Sequence, residues 1–256
     1  MNAASPPLVR LSHVGKAFSN GTLALRDLNL SVRPGEFVSL LGPSGCGKST
    51  ALRLLAGLGA PTTGEIAWHG DHTLSFVFQE PTLMPWRTVF GNAYLPLRLQ
   101  GIGRAEATPC VMAALAGVGL DKFADAYPRQ LSGGMKMRVS IARALATRPS
   151  LLLMDEPFAA LDEITRGRLN DDLLKLYQRE RLTIVFVTHS VFESVFLSSR
   201  VMVMAARPGR LVADIAVDAP YPRDADYRTG ETYNHHCRLA SEALRDAMGE
   251  TVAHVH

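Results

Sequence analysis

The sequence predicts an α/β fold: a parallel-stranded core, an antiparallel β subdomain and an inserted helical subdomain. Three observations predict it. A glycine-rich loop, Gly42-Pro43-Ser44-Gly45-Cys46-Gly47-Lys48-Ser49-Thr50, joins an apolar run to a helical stretch. Short apolar runs recur at residues 151–154, 183–187 and 201–204, with helix-period segments between them. That alternation marks a parallel sheet covered by helices. Residues 8–32 alternate apolar and polar around the turn signal Asn20-Gly21, as hairpin strands do.

The bulk properties narrow the class. The chain has 256 residues and is 47% hydrophobic, enough for a sizeable core. A net charge of +3 implies no strong field for nucleic acid. Cys46, Cys110 and Cys237 have no framework spacing, which points to a reducing compartment. The first seven residues lack the basic-then-apolar pattern of a secretory leader, and no apolar segment is long enough to span a bilayer. The expectation is a soluble, cytosolic protein whose membrane link runs through a partner.

Each element follows in order. Pro34-Gly35 marks a turn before the buried strand Phe37-Val38-Ser39-Leu40-Leu41. The loop after it fits G-x-x-x-x-G-K-[ST] in full, the pattern that wraps nucleotide phosphates. Its glycines let backbone N–H groups point inward. Lys48 can reach the β- and γ-phosphates, the Ser49 hydroxyl can ligate Mg²⁺, and a helix over 49–58 turns its positive end toward the phosphates. A turn at 61–64 precedes strands at 65–68 and 74–78. Residues 89–148 read as helical, broken at Gly101-Ile102-Gly103 and at Tyr127-Pro128. A helix over 167–178 presents Leu169, Leu173, Leu176 and Tyr177 on one face. The last forty or so residues read as a short helical tail, with Arg223, Arg228, Arg238 and Arg245 on a solvated face. In that tail His235-His236-Cys237 point in different directions on a helix and make no metal site.

Two further elements carry chemistry. The run at 151–154 ends in Asp155-Glu156, which puts both carboxylates at a strand's C-terminal edge, where ligands of α/β folds sit. Asp155 can hold Mg²⁺ directly or through water, and Glu156 can polarise an attacking water. Leu131-Ser132-Gly133-Gly134-Met135 opens a helix, with Ser132 as N-cap and two glycines baring N–H groups at a positive helix end. By its residues alone this is either a second anion site or an ordinary capped helix. His189, Gln79 and Phe18 taken singly read as an exposed strand-end histidine, a neutral loop residue and a core aromatic. Cys46 reads as a small loop residue, or as a thiolate activated by the helix end.

Together these residues, in this order, resemble the ATP-binding subunits of ATP-binding-cassette (ABC) transporters, whose core is a RecA-like P-loop NTPase fold. The resemblance spans about residues 8–215. It rests on the phosphate loop, Gln79, Leu131-Ser132-Gly133-Gly134, Leu153-Met154-Asp155-Glu156-Pro157, Ala160-Leu161-Asp162 and His189. The Leu-Ser-Gly-Gly element is the specific one. The resemblance implies one cassette domain, with its nucleotide core at about 8–86 and 149–215, a helical subdomain at about 87–148 and a tail at about 216–256.

It also implies roles. Phe18 would stack on adenine, Ser49 and Gln79 would ligate Mg²⁺, and Asp155 would hold the metal's water shell. Glu156 would be the general base, with Lys48 and His189 on the γ-phosphate. Ser132, Gly133 and Gly134 would contact ATP held by a second copy, and Asp162 would lie at that head-to-tail interface. Leu83, Met84 and Trp86, in a loop-like stretch between prolines, would dock a membrane permease. A Pro-Trp pair at Pro85-Trp86 resembles the nitrate, sulfonate, taurine and pyrimidine-precursor importers, which implies an extracytoplasmic solute-binding protein as an indirect partner. The subunit would sit peripherally on the cytoplasmic face of the inner membrane. Two departures stand out. Met135 replaces the Gln usual after Leu-Ser-Gly-Gly, and the stretch between Glu65 and Gln79 is short, which suggests tight hairpin strands. A non-transport ABC ATPase and a non-hydrolysing nucleotide-gated module are the competing readings.

Overall fold

The computed structural model describes residues 6–253. The leader-like question concerns residues 1–7, of which 1–5 lie outside the described part. In chain order the elements are β1 (Val9–Ala17), β2 (Leu23–Val32), β3 (Phe37–Leu41), α1 (Lys48–Leu55), β4 (Thr63–Trp68), β5 (Leu74–Val77), α2 (Val89–Leu99), α3 (Arg104–Gly117) and α4 (Gly133–Leu145). There follow β6 (Leu151–Asp155), α5 (Glu163–Glu180), β7 (Ile184–Thr188), α6 (Val191–Leu197), β8 (Arg200–Ala205), β9 (Arg210–Ala216), α7 (Ala225–Thr229) and α8 (Glu231–Ala253). They form two compact units, one of the residues up to His72 and from Arg181 onward, the other Thr73–Glu180.

In the first unit β3 lies between β7 and β8, parallel to both, and all five of its residues are buried. A strand with helices over both faces has no wet side, so its pattern is continuous rather than alternating. Its one polar residue, Ser39, is satisfied by the hydroxyl of Ser198. β9 pairs antiparallel with β8 at the edge. Its alternation, Arg210-Leu211-Val212-Ala213-Asp214-Ile215-Ala216, is a strand signal that adds one element to those expected from the sequence. A separate antiparallel sheet runs in the order β2-β1-β4.

That topology corrects one expectation. β4 and β5 do not form a hairpin: β4 pairs antiparallel with β1, and β5 pairs parallel with β6. The short link between them carries the chain from one sheet to another.

The second unit is built on the β5–β6 pair. Thr73 and Ser150 tie its entry together, through Thr73 N–H to Ser150 Oγ at 2.8 Å and Ser150 N–H to the Thr73 carbonyl at 2.9 Å. Helices α2, α3 and α4 pack on one another, and α4 also packs on β5. α5 buries Leu169, Leu173, Leu176 and Tyr177, the face expected from the sequence, but starts earlier because Asp162 caps it.

The tail departs most from expectation. α8 runs from Glu231 to Ala253, buries Tyr233, Cys237, Ala240 and Ala247, and packs on β8 and α6. Arg223 is not on a solvated face but is 5% exposed, and Arg228 lies over the Phe196 ring at 3.7 Å. Arg238 and Arg245 are exposed as expected.

Candidate active site

The phosphate loop leaves β3 at Leu41 and closes at the start of α1. Two glycines are required there for different reasons. At Gly42 a Cβ would meet the Met204 carbonyl at 2.6 Å and Cys46 Sγ at 2.7 Å. Gly47 has φ 92, a left-handed conformation, and a Cβ there would meet Leu25 Cδ2 at 2.7 Å. The loop is therefore pressed against β2 and β8 with no room for side chains on its inner side. Pro43, Ser44 and Gly45 stay outside, with Ser44 and Gly45 exposed. Lys48 is 4% exposed and curls back into the loop, its Nζ donating to the carbonyls of Gly42 at 2.7 Å and Pro43 at 2.9 Å. An ammonium held among loop carbonyls is already desolvated and aimed where phosphate oxygens would bind. Ser49 and Thr50 occupy the first turn of α1, where helix N–H groups lack intrahelical acceptors. Burial pushes the Cys46 thiol up, against the opposing pull of Lys48 beside it. Its full burial argues for the small loop residue over an activated thiolate, because the charged form would have to exist in a fully covered site.

Sheet register brings His189 to the same place. Leu41 pairs with Thr188, so His189 leaves the sheet at the edge where the phosphate loop begins. A local network fixes its turn: Thr188 Oγ1 donates to Glu193 Oε2 at 2.6 Å and accepts from Ser190 N–H at 3.0 Å, and Ser190 caps α6. His189 itself is exposed. Phe18 sits at the hairpin turn of β1 and β2, 45% exposed, with Lys16 Nζ 5.7 Å from its ring centroid. The neighbouring pair Ala17–Leu23 places it at the end of β2 whose Ala24 and Leu25 bear on Gly47. It is a presented ring and not the core aromatic that its residue type alone suggests.

In the second unit, Val77 pairs with Met154, so Gln79 and the Asp155-Glu156 pair leave the strands at the same C-terminal edge. Asp155 and Glu156 are half-buried. Glu156 has φ 45, a left-handed backbone rare for a residue with a Cβ, and its carbonyl accepts from Ala159 N–H at 3.2 Å.

Ser132 caps α4, its Oγ accepting from Met135 N–H at 3.3 Å. Ser132 and Gly133 are exposed, whereas Gly134 is buried. A Cβ on Gly134 would meet Thr165 Cγ2 at 2.9 Å, and one on Gly133 would lie 3.5 Å from Leu161. The helix start is thus set flush against the turn that carries Asp162. Asp162 is exposed and caps α5 through Thr165 N–H at 3.0 Å, and that bond holds its carboxyl below the usual carboxylate range.

Leu83 and Met84 are half-buried and Trp86 is 70% exposed. The loop bearing them is pinned at both ends by residues the sequence reading missed. Arg143 donates to the carbonyls of Pro81 at 3.0 Å and Thr82 at 2.9 Å. Asn92, fully buried, accepts from Met84 N–H at 2.7 Å and donates to the carbonyls of Met84, Arg87 and Thr88 at 3.0–3.2 Å. An amide on the buried side of α2, three residues after Val89, is the signal that could have found it. Asn92→Ala strips partners from those groups and is expected to cost about 1–3 kcal/mol of stability, read by denaturant unfolding. A cleft of about 410 Å³ opens beside Trp86, lined also by Phe90, Tyr94, Arg98, Arg104 and Tyr127.

Known proteins resemble this chain. Residues 25–159, more than half of the chain, match the ABC transporter family. An uncharacterised ABC transporter ATP-binding protein of Methanocaldococcus jannaschii is 50% identical over 235 residues, covering 90% of this chain and 87% of that protein. The aliphatic sulfonates import ATP-binding protein SsuB 2 of Pseudomonas syringae pv. tomato is 47% identical over 213 residues, covering 82% of this chain and 87% of its own length. The nitrate import ATP-binding protein NrtD of a Synechocystis strain is 45% identical over 213 residues, with 81% and 79% covered. A solved dimeric ATP-binding cassette in a post-hydrolysis state, bound to ADP and phosphate, superposes with a TM-score of 0.71 at 33% identity, covering 83% of this chain and 100% of that one.

Proposed function

The chain belongs to the ABC transporter family of ATP-binding proteins, and from that premise we propose that it hydrolyses ATP to drive import of a small solute of the nitrate, sulfonate, taurine or pyrimidine-precursor type. The observation that carries the mechanism is a pair of helix starts. One, at Lys48, closes a phosphate loop; the other, at Ser132, is exposed in a chain with a single such loop. The second start serves a nucleotide held by another copy. A similar cassette solved as a dimer with ADP and phosphate supports that arrangement.

Phosphoryl transfer to water is positioning and charge neutralisation. Lys48 and the loop amides from Gly42 to Thr50 hold the phosphates, and Phe18 offers its exposed ring to adenine. Glu156 takes a proton from the attacking water, and His189 orients it on the γ-phosphate. The Ser49 hydroxyl, the Gln79 amide and the Asp155 carboxylate are hard oxygen donors that suit Mg²⁺, an ion held by few protein ligands and by phosphates and water. Bound there, Mg²⁺ would neutralise charge on the β- and γ-oxygens. Ser132, Gly133 and Gly134 contact the γ-phosphate from the partner copy, with Asp162 beside them. Because both copies hold the triphosphate, the closed dimer prefers ATP to ADP, and that difference in affinity drives a partner's conformational change.

The partner is a membrane permease, docked at Leu83, Met84 and Trp86. An extracytoplasmic solute-binding protein delivers cargo to that permease, and the subunit sits at the cytoplasmic face of the membrane. Among the described residues no helix is long and apolar enough to cross a membrane. An exposed Trp beside an aromatic- and arginine-lined cleft is the composition of an interface anchor. Sulfonate and nitrate import proteins as relatives support the solute class. The net charge of +3 argues against nucleic-acid work, and Glu156 together with His189 argues against binding without hydrolysis, the one contrary feature being Met135.

Co-expression with a candidate membrane permease, followed by Mg²⁺-dependent phosphate-release assays on the purified complex, tests the proposal. Trp86→Ala is expected to lower permease affinity by about 10-fold or more while leaving the basal ATPase of the free subunit unchanged. Unchanged co-purification would remove Trp86 from the docking surface.

A further inference from the structure

The tail of the chain grips α6, the helix that begins two residues after His189. α6 is only seven residues long, and its last carbonyls have no acceptor role within so short a helix. Ser198 N–H meets the Ser194 carbonyl at 3.1 Å, and the three carbonyls after it are satisfied from the segment that follows β9. Arg223 Nη1 donates to the carbonyls of Val195 at 2.9 Å, Phe196 at 3.0 Å and Ser198 at 2.8 Å. The Tyr221 hydroxyl donates to the Leu197 carbonyl at 2.9 Å, and the Tyr233 hydroxyl reaches the Phe192 carbonyl at 3.1 Å. Arg223 Nη2 anchors back to the Ala219 carbonyl at 3.0 Å, and the guanidinium lies over Tyr221 at 4.3 Å and Tyr227 at 5.1 Å. A buried cation at a helix C-terminus also complements the helix dipole. At its other end α6 starts from Ser190, one residue after His189, through the Thr188–Ser190–Glu193 network. A short helix held rigidly at its C-terminal end transmits that constraint to the turn at its N-terminal end.

We propose that the segment from Tyr221 to Tyr233 is a positioning device for the reaction, with Arg223 as its principal positioning residue acting through α6 on His189. The inference rests on the reading that His189 orients the attack on the γ-phosphate. Loosening the grip displaces His189 without touching the groups that bind nucleotide. The expected signature is a loss in kcat and not in nucleotide affinity.

The test is a double-mutant cycle on the full chain. Arg223→Ala is expected to lower kcat for MgATP by about 10- to 100-fold per folded molecule, the scale of a small misplacement at a reacting centre. Nucleotide affinity should move by no more than about twofold. In a His189→Ala background the same change should cost little further kcat, because the two act as one unit. Arg223→Lys keeps the charge but not the planar two-nitrogen fork that holds α6 through Nη1 and Ala219 through Nη2, and should recover only part of the rate. Should Arg223→Ala not fold, the Tyr221→Phe/Tyr233→Phe pair removes two donors while keeping both rings, and enters the same cycle. A fall in thermal stability with unchanged kcat per folded molecule, or losses that multiply with His189→Ala, would overturn the proposal. Wild-type turnover in His189→Ala alone would instead strike the reading of His189 itself, and the proposal with it.

Discussion

Replacing Glu156 with Gln is expected to abolish turnover, with a fall of about 10³-fold or more, while ATP still binds. The amide keeps the size and hydrogen-bonding reach of the side chain at its φ 45 turn, so the fold and the end of β6 are preserved. What it cannot do is accept the proton of the attacking water, and a positioned general base contributes about 10²–10⁴-fold. The phosphate-binding residues are untouched by the change, since Lys48 and its loop are held by contacts to Gly42, Pro43 and β2. Binding without hydrolysis leaves the triphosphate in place, so an ATP-stabilised dimer should accumulate. Phosphate release and size-exclusion chromatography in MgATP measure both halves of the result. Near-normal hydrolysis would sink the assignment of Glu156 as base.

The second large effect is a rescue. Lys48→Ala and Ser132→Arg are each expected to be inactive alone, the first by losing the phosphate-binding cation, the second by placing a bulky side chain at an exposed helix start. In the head-to-tail dimer proposed for this chain, each nucleotide would be clasped by the loop of one copy and the Ser132 helix of the other. Mixing the two inactive variants therefore creates dimers with one intact site. It pairs Lys48 of the Ser132→Arg chain with Ser132 of the Lys48→Ala chain. With random pairing, half of the dimers are mixed and each has one good site of two, so the mixture should recover about a quarter of wild-type activity. No recovery at any mixing ratio, with mixed dimers demonstrated by tag exchange, would refute the head-to-tail arrangement.

Much of this protein was readable in advance because its strongest features are local. The phosphate loop needs a glycine with left-handed φ at Gly47 and a helix start at Lys48, and both requirements are met within a few residues of sequence. The Asp155-Glu156 pair follows an apolar run that can only be a buried strand. Ser132 announces a cap by residue type. The β9 strand was equally local and was simply passed over. Gln79 is different: unremarkable by residue type, it entered the site through the family resemblance, and the pairing of Val77 with Met154 shows it leaving the sheet at the same edge as the carboxylates.

Motif, strand run and helix start, with the family resemblance they carry, came from the order of residues alone, because φ preferences, capping and apolar continuity act over a handful of positions. The partnerships of β4 with β1 and of β5 with β6 did not. Nor did the buried Asn92 that shapes the Trp86 loop, or the covered guanidinium of Arg223 on the carbonyls of α6. Those depend on which distant groups share a dry interior. A polar or charged side chain looks the same in a sequence whether it faces water or a ring of carbonyls, and only the folded chain decides which.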